Sequence, residues 1–226
     1  MPRLLPALAL VAVFLAACAT EAPAPSTTSP PVLATAPTTP APGTPATPAV
    51  TATVAPTSTA SPPASTCRAG APLTLAQTEG PFYSANPPQR ATLIEAGVTG
   101  TRLVLSGTVV AQDCRPLANA RVDFWQTDAN GAYDNSGFRL RGYQLADAQG
   151  QYRLETIVPA EYPGRTSHIH VKVTPPRGPT LTSQLYLPDV ARNASDGSFR
   201  RELLMQDVVR GPEGVTARFD FIVATR

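Results

Sequence analysis

The stretch Tyr162-Pro163-Gly164-Arg165-Thr166-Ser167-His168-Ile169-His170-Val171-Lys172-Val173 holds the only two histidines of the 226-residue chain. They stand two apart and lead into alternating β-branched residues, which reads as a strand. A strand points residues i and i+2 to one face. Both imidazoles therefore share a side, and Ile169 takes the other. Two neutral ring nitrogens so placed can converge on one metal ion. The Pro-Gly turn ahead of them delivers Tyr162 to the start of the strand.

Working outward, the neighbouring segments also read as short strands. The run 103–110 alternates, with Gly107 marking a bulge or a close approach of another backbone. Asp113-Cys114-Arg115-Pro116 is a turn, and 120–127 is a second strand carrying Phe124 and Trp125. Asp128-Ala129-Asn130-Gly131 is a turn whose Asn-Gly suits positive φ. Asp147-Ala148-Gln149-Gly150 repeats that chemistry before a strand at 151–158. Further strands are expected at 168–174, 181–187 and 216–223, and single helical turns at 90–96 and 193–204. Long amphipathic helical patterns are missing. Short strands at this spacing predict an all-β fold, a sandwich or barrel. The segment 78–83 is an irregular arm. Its Phe82 and Tyr83 either cover a core edge or form the lip of a pocket.

Two histidines exclude a three-histidine metal site within one chain. The other donors must be oxygens. No carboxylate stands beside His168 or His170 at a metal-triad spacing. Two tyrosines are better placed, Tyr162 before the strand and Tyr133 after the Asn130-Gly131 turn. A phenol titrates near 10, so a metal must stabilise the phenolate strongly to bind it at neutral pH. Ferric iron, a hard cation, suits that donor, and a His₂Tyr₂ set points to Fe(III). Two phenolates and a hydroxide would also neutralise the ion in a partly buried place. The bland alternative is a pair of partly exposed strand histidines and two amphipathic turn tyrosines.

The run Asp123-Phe124-Trp125-Gln126-Thr127-Asp128-Ala129-Asn130-Gly131-Ala132-Tyr133-Asp134 resembles the segment of intradiol ring-cleavage dioxygenases that carries their first tyrosinate ligand. The segment 147–170 is similar to their second: a turn, a strand ending Thr-Ile-Val-Pro, then Tyr-Pro, Arg and His-x-His. Thr78-Glu79-Gly80-Pro81-Phe82-Tyr83 resembles their N-terminal arm. The resemblance spans most of 70–224. It implies an iron centre of Tyr133, Tyr162, His168 and His170, an active-site arginine at Arg165, and a pocket glutamine at Gln184. It implies Fe(III), a catechol-type substrate and O2, a muconate-type product, and Tyr162 as a departing base. Family members commonly carry proline after the arginine, where this chain has Thr166. Catechol 1,2-dioxygenases also carry a long helical N-terminal dimerisation segment, where this chain has a proline-rich stretch. A rival reading is a transthyretin-like or regulatory-like β-sandwich binding module, whose Gly-Thr-Val and Asp-Ala-Gln-Gly-Gln-Tyr patterns also occur here. An exported metal-binding protein without turnover is a third.

The beginning of the chain is of a different kind. Residues 1–18 read as an export signal: Arg3, an apolar run too short to span a bilayer, then Leu15-Ala16-Ala17-Cys18. That ending resembles a bacterial lipobox, with Cys18 lipidated and the protein anchored at the cell envelope. Residues 19–66 carry 12 of the 26 prolines and one charge, Glu21. Such a composition cannot offset the entropy of ordering and reads as a disordered Pro/Thr/Ala-rich stalk. At about 3.1 Å per residue it could reach roughly 100 Å or more. The β-sandwich domain is then 67–226, long enough for one core. A net charge of +2 gives no sign of nucleic-acid binding. With Cys18 on lipid, Cys67 and Cys114 remain, and an oxidising setting favours their pairing over two free thiols. The oligomeric state is open, a homo-oligomer being one option.

Overall fold

A computed structural model describes residues 67–226. The signal at 1–18, Cys18 and the stalk at 19–66 lie outside the described residues. Nine strands follow in order: β1 (Arg102–Ala111), β2 (Arg121–Gln126), β3 (Arg141–Leu145), β4 (Gln151–Ile157), β5 (His168–Thr174), β6 (Leu181–Tyr186), β7 (Gln206–Gly211), β8 (Gly214–Arg218) and β9 (Phe221–Val223). One sheet runs β4-β1-β8-β7, with β9 also on β1, and the other runs β3-β2-β5-β6. The all-β sandwich expected from the sequence is what forms. Leu103, Leu105 and Val109 of β1 and Leu154 of β4 share a buried core with Val122 and Phe124 of β2, Ile169, Val171 and Val173 of β5, and Leu185 of β6. Burying this apolar surface is the main driving force for closing the sandwich.

Alternation along β5 has a direct consequence. Ile169, Val171 and Val173 fill the core, so His168, His170 and Lys172 stand on the outer face of the second sheet. Register then sets their neighbours. Trp125 lies opposite both Arg141 and His170, His170 opposite Gln184, and His168 opposite Tyr186. A row Arg141–Trp125–His170–Gln184 thus crosses all four strands on one face.

Several elements differ from the sequence reading. The expected strand 216–223 is two strands, β8 and β9, separated by Phe219 and Asp220. The cause lies at Gly107, where no β-carbon fits: it would lie 1.7 Å from the Phe219 carbonyl oxygen. The chain crosses β1 there. Asp220 Oδ1 accepts from Thr108 N at 2.9 Å, and the Tyr152 hydroxyl donates to Phe219 O at 2.7 Å. The β1–β4 ladder keeps one register through Gly107, so the close approach holds and the bulge does not. Residues 90–96 form no helical turn. Their backbone instead pairs with sheet edges, Arg90 N to Tyr143 O and Leu93 N to Glu155 O. Open edges of β3 and β4 satisfy these groups without a helix. The 193–204 region holds two short 3₁₀ turns, Ala191–Ala194 and Arg201–Leu203. Strands β3 and β7 were not expected. Cys67 and Cys114 are joined as a disulfide.

Candidate active site

His168 and His170 turn their Nε2 atoms toward each other, 3.2 Å apart. His168 Nδ1 lies 2.6 Å from the Thr166 carbonyl, which assigns the proton to Nδ1 and leaves a lone pair on Nε2. His170 Nδ1 is buried and meets no hydrogen-bond partner. The His170 ring stacks on Trp125, centroids 4.8 Å apart. Gly80 of the arm lies beside the same ring, where a β-carbon would sit 3.4 Å from Cε1 and 3.8 Å from Nε2. Burial drives His168 down to about 4. Burial, then the neighbouring His168, holds His170 well below its ordinary range. Both imidazoles are neutral at neutral pH, as metal ligation requires.

The tyrosines approach from two loops. Asp128 Oδ1 closes the first by accepting from Asn130 N at 2.8 Å and Ala132 N at 3.0 Å. Gly131, at φ +80°, presses on the second loop: a β-carbon there would lie 2.4 Å from Glu161 O. That contact sets the Tyr133 loop beside the Tyr162 loop. Tyr133 Oη reaches 3.5 Å from His168 Nε2, and the two tyrosine rings meet edge-on at 5.8 Å. The Tyr162 ring lies 5.7 Å from that of His168. Burial, and next the neighbouring Tyr162, pushes the Tyr133 phenol above its usual range. A cation is therefore needed to hold Tyr133 as a phenolate. Phe82 stacks on Tyr133 at 4.4 Å and 16° and meets the Tyr162 ring edge-on. The arm thus forms the lip of the site, while Tyr83 packs on Trp125.

Arg165 completes the ring. Its Nη1 donates to Tyr162 Oη at 3.3 Å, its Nη2 to Gln184 Oε1, and its Nε to Asp196 Oδ2 at 3.1 Å. Gln184 is fully buried, and its Nε2 donates to Thr78 O at 3.0 Å. All six residues singled out in the sequence, Tyr133, Tyr162, Arg165, His168, His170 and Gln184, are brought together. Three others were not foreseen. Asp196 lies behind Arg165. Arg141, on the row of His170, is fully buried and donates to Asp134 O and Phe82 O, tying the arm to the Tyr133 loop. Tyr186 donates to one of three acceptors around it: Gln77 Oε1, Gln184 Oε1 and Ser198 O. Their roles depend on tertiary contacts, and no local spacing marks them.

Among the described residues no group of three or more His, Cys, Asp or Glu side chains is placed to hold a metal ion. The side-chain oxygen that reaches His168 Nε2 is that of Tyr133. Two facing neutral nitrogens, an adjacent phenol and a second tyrosine ring at the rim fit a hard trivalent cation.

A family model described as Dioxygenase matches residues 78–196, just over half of the chain. The chain belongs to the intradiol ring-cleavage dioxygenase family. The dioxygenase domain of a dioxygenase carbohydrate-binding protein fusion from the cellulolytic bacterium Streptomyces sp. SirexAA-E is 43% identical, with a TM-score of 0.66 over 69% of this chain and 100% of that one. Catechol 1,2-dioxygenase of Acinetobacter baylyi is 29% identical over 62% of this chain and 55% of its own length. Hydroxyquinol 1,2-dioxygenase of Rhodococcus opacus is 30% identical over 60% and 54%. The chain spans about half the length of these curated relatives. Membership in the family sets the binding-module reading aside. Thr166, which follows Arg165, donates its N–H to Asp196 Oδ2 at 2.9 Å, a bond that proline cannot make.

Proposed function

We propose that the chain is a non-haem Fe(III)-dependent intradiol dioxygenase that opens a catechol-type ring with O2 to a muconate-type diacid. The supporting observation is convergence: His168 Nε2 lies 3.2 Å from His170 Nε2 and 3.5 Å from Tyr133 Oη, with Tyr162 and Arg165 closing the circle. Tyr133, Tyr162, His168 and His170 would hold the iron, which when bound supplies the Lewis acidity and redox coupling that let a catechol react with dioxygen.

The chain's own residues do the rest. Burial keeps both imidazole lone pairs free of protons. Tyr162, at the rim, would with iron bound accept a catechol hydroxyl proton at Oη, general base work by a ligand. Arg165 donates from Nη1 beside that oxygen, and its permanent charge stabilises negative charge developing on the ring. Gln184 holds Nη2, so the guanidinium meets the ring in one orientation. Phe82 on Tyr133 forms an aromatic wall that limits water. The bond between the two hydroxylated carbons breaks, both atoms of O2 enter the diacid, and no outside reductant is needed. Lipidation of Cys18, with the domain exported and held at the cell envelope by 19–66, completes the proposal. Metabolic labelling with a lipid analogue checks it, and Cys18→Ser should abolish the label.

Oxygen uptake by the iron-loaded protein tests the activity across catechol, protocatechuate, hydroxyquinol and chlorinated catechols. One O2 consumed per ring opened, with a muconate-type product by mass spectrometry, is the expected result. Tyr162→Phe and His168→Ala should each lower turnover by about 10³-fold or more. Near-normal turnover in His168→Ala would mean that the chemistry happens elsewhere.

A further inference from the structure

Behind the substrate-facing arginine lies a carboxylate whose side chain is 1% exposed, that of Asp196. It meets three donors. Oδ2 accepts from Arg165 Nε at 3.1 Å and from Thr166 N at 2.9 Å. Oδ1 accepts from Ser198 N at 2.8 Å. Burial opposes its ionisation, yet these donors keep it below the usual carboxylate range. The neighbouring Thr166 hydroxyl donates to Asn193 Oδ1 at 2.7 Å, and Asn193 Nδ2 donates to Leu187 O at 2.9 Å. Residues 187–198 are thus stitched to the short connection between Tyr162 and His168.

The Arg165 guanidinium is held on three sides by three pieces of chain: Asp196 at Nε, Tyr162 at Nη1 and Gln184 at Nη2. Of these partners Asp196 is the carboxylate, and it meets Arg165 at Nε, whereas Tyr162 meets it at Nη1. A carboxylate at Nε directs the remaining N–H groups of the planar fork outward. The same oxygen also anchors the backbone one residue on, through the Thr166 N–H.

We infer that Asp196 is a positioning residue: it fixes the plane of Arg165, so that Nη1 and Nη2 face the substrate, and acts on the reaction only through that arginine. The inference rests on the dioxygenase reading above, and its test separates the two. In iron-loaded protein, Asp196→Asn should lower kcat on catechol about 10–100-fold, the usual range for an orienting partner. KM, iron content and visible absorption should change little. In an Arg165→Gln background the same substitution should have no further effect on kcat. An unchanged kcat, iron lost in proportion to activity, or an equal loss in both backgrounds would overturn the inference. Should Asp196→Asn not fold, Asp196→Glu carries the test: its displaced carboxylate should lower kcat with iron retained, and wild-type kcat would overturn the inference. A readout without iron or substrate keeps it testable if unsubstituted protein proves inactive. By ¹⁵N NMR of the metal-free protein, the Arg165 Nε–H should exchange at least about tenfold faster in Asp196→Asn than in the unsubstituted protein. Equal exchange rates would overturn the inference.

Discussion

His168 stays uncharged in the metal-free protein because burial takes its imidazole down to about 4, whereas an unfolded histidine titrates near 6.5. Between those values the unfolded chain binds a proton that the folded chain refuses. Stability is therefore full above about pH 6.5 and falls as pH drops toward about 4, by roughly 3 kcal/mol for this residue. His170, depressed by burial in the same direction, adds to the slope. Thermal melts of metal-free protein from about pH 7.5 to 4.5 check it. His168→Gln should flatten the curve, and a flat curve in the unsubstituted protein would contradict the burial argument. At this scale the sequence was informative where chemistry is local. His-x-His with Tyr162 six residues before it can be read from spacing, since a strand and a turn fix their directions. Asp196 could not be found that way, because its partner stands 31 residues earlier and a loop carries it there. Arg141 also escapes, since arginine is ordinarily exposed and only its place opposite Trp125 shows that it is buried.

Among the elements, the two tyrosine loops depend on the Gly131–Glu161 contact. Gly131→Ala would set a β-carbon 2.4 Å from Glu161 O and strain a left-handed residue by about 1–2 kcal/mol. The loops must part, so iron affinity should fall about 10–100-fold. Gly164 is the control: its φ is +81° and nothing lies within 4 Å of its added β-carbon. Gly164→Ala should cost about 1 kcal/mol of stability and leave iron affinity unchanged. Isothermal titration with ferric citrate and denaturant melts compare the two. Equal affinities would contradict the loop contact. The strands that the sequence revealed are those with an alternating apolar face, β1, β2, β4, β5 and β6. β7 is exposed along nearly its whole length and carries no such alternation. β3 has Gly142 as its second residue, where Arg90 and Leu93 pack too closely for a β-carbon. The 90–96 segment misled because local propensity cannot see the sheet edges that satisfy its backbone.

For the whole molecule, the sandwich is readable from the sequence because strand periodicity and turn chemistry agree along most of 100–187. The arm is less so, since its course is set by partners far along the chain: Gln77 N on Thr182 O, Thr74 N on Ile222 O. The Cys67–Cys114 disulfide spans 47 residues and ties the start of that arm to the end of β1. Replacing both cysteines by serine should cost about 2–4 kcal/mol, read as a fall in Tm of roughly 5–15 °C. Iron content should be kept, because the proposed ligands lie on β5 and on the two tyrosine loops; loss of iron would show that the arm's anchoring reaches the site. The His₂Tyr₂ centre itself is tested by adding Fe(III) to metal-free protein and recording iron content and the visible spectrum together. One iron per chain should bind with a red to burgundy colour from tyrosinate-to-iron charge transfer, weakened in Tyr133→Phe and in Tyr162→Phe. A protein that stays colourless after reconstitution, or keeps its full colour in both variants, would contradict the site.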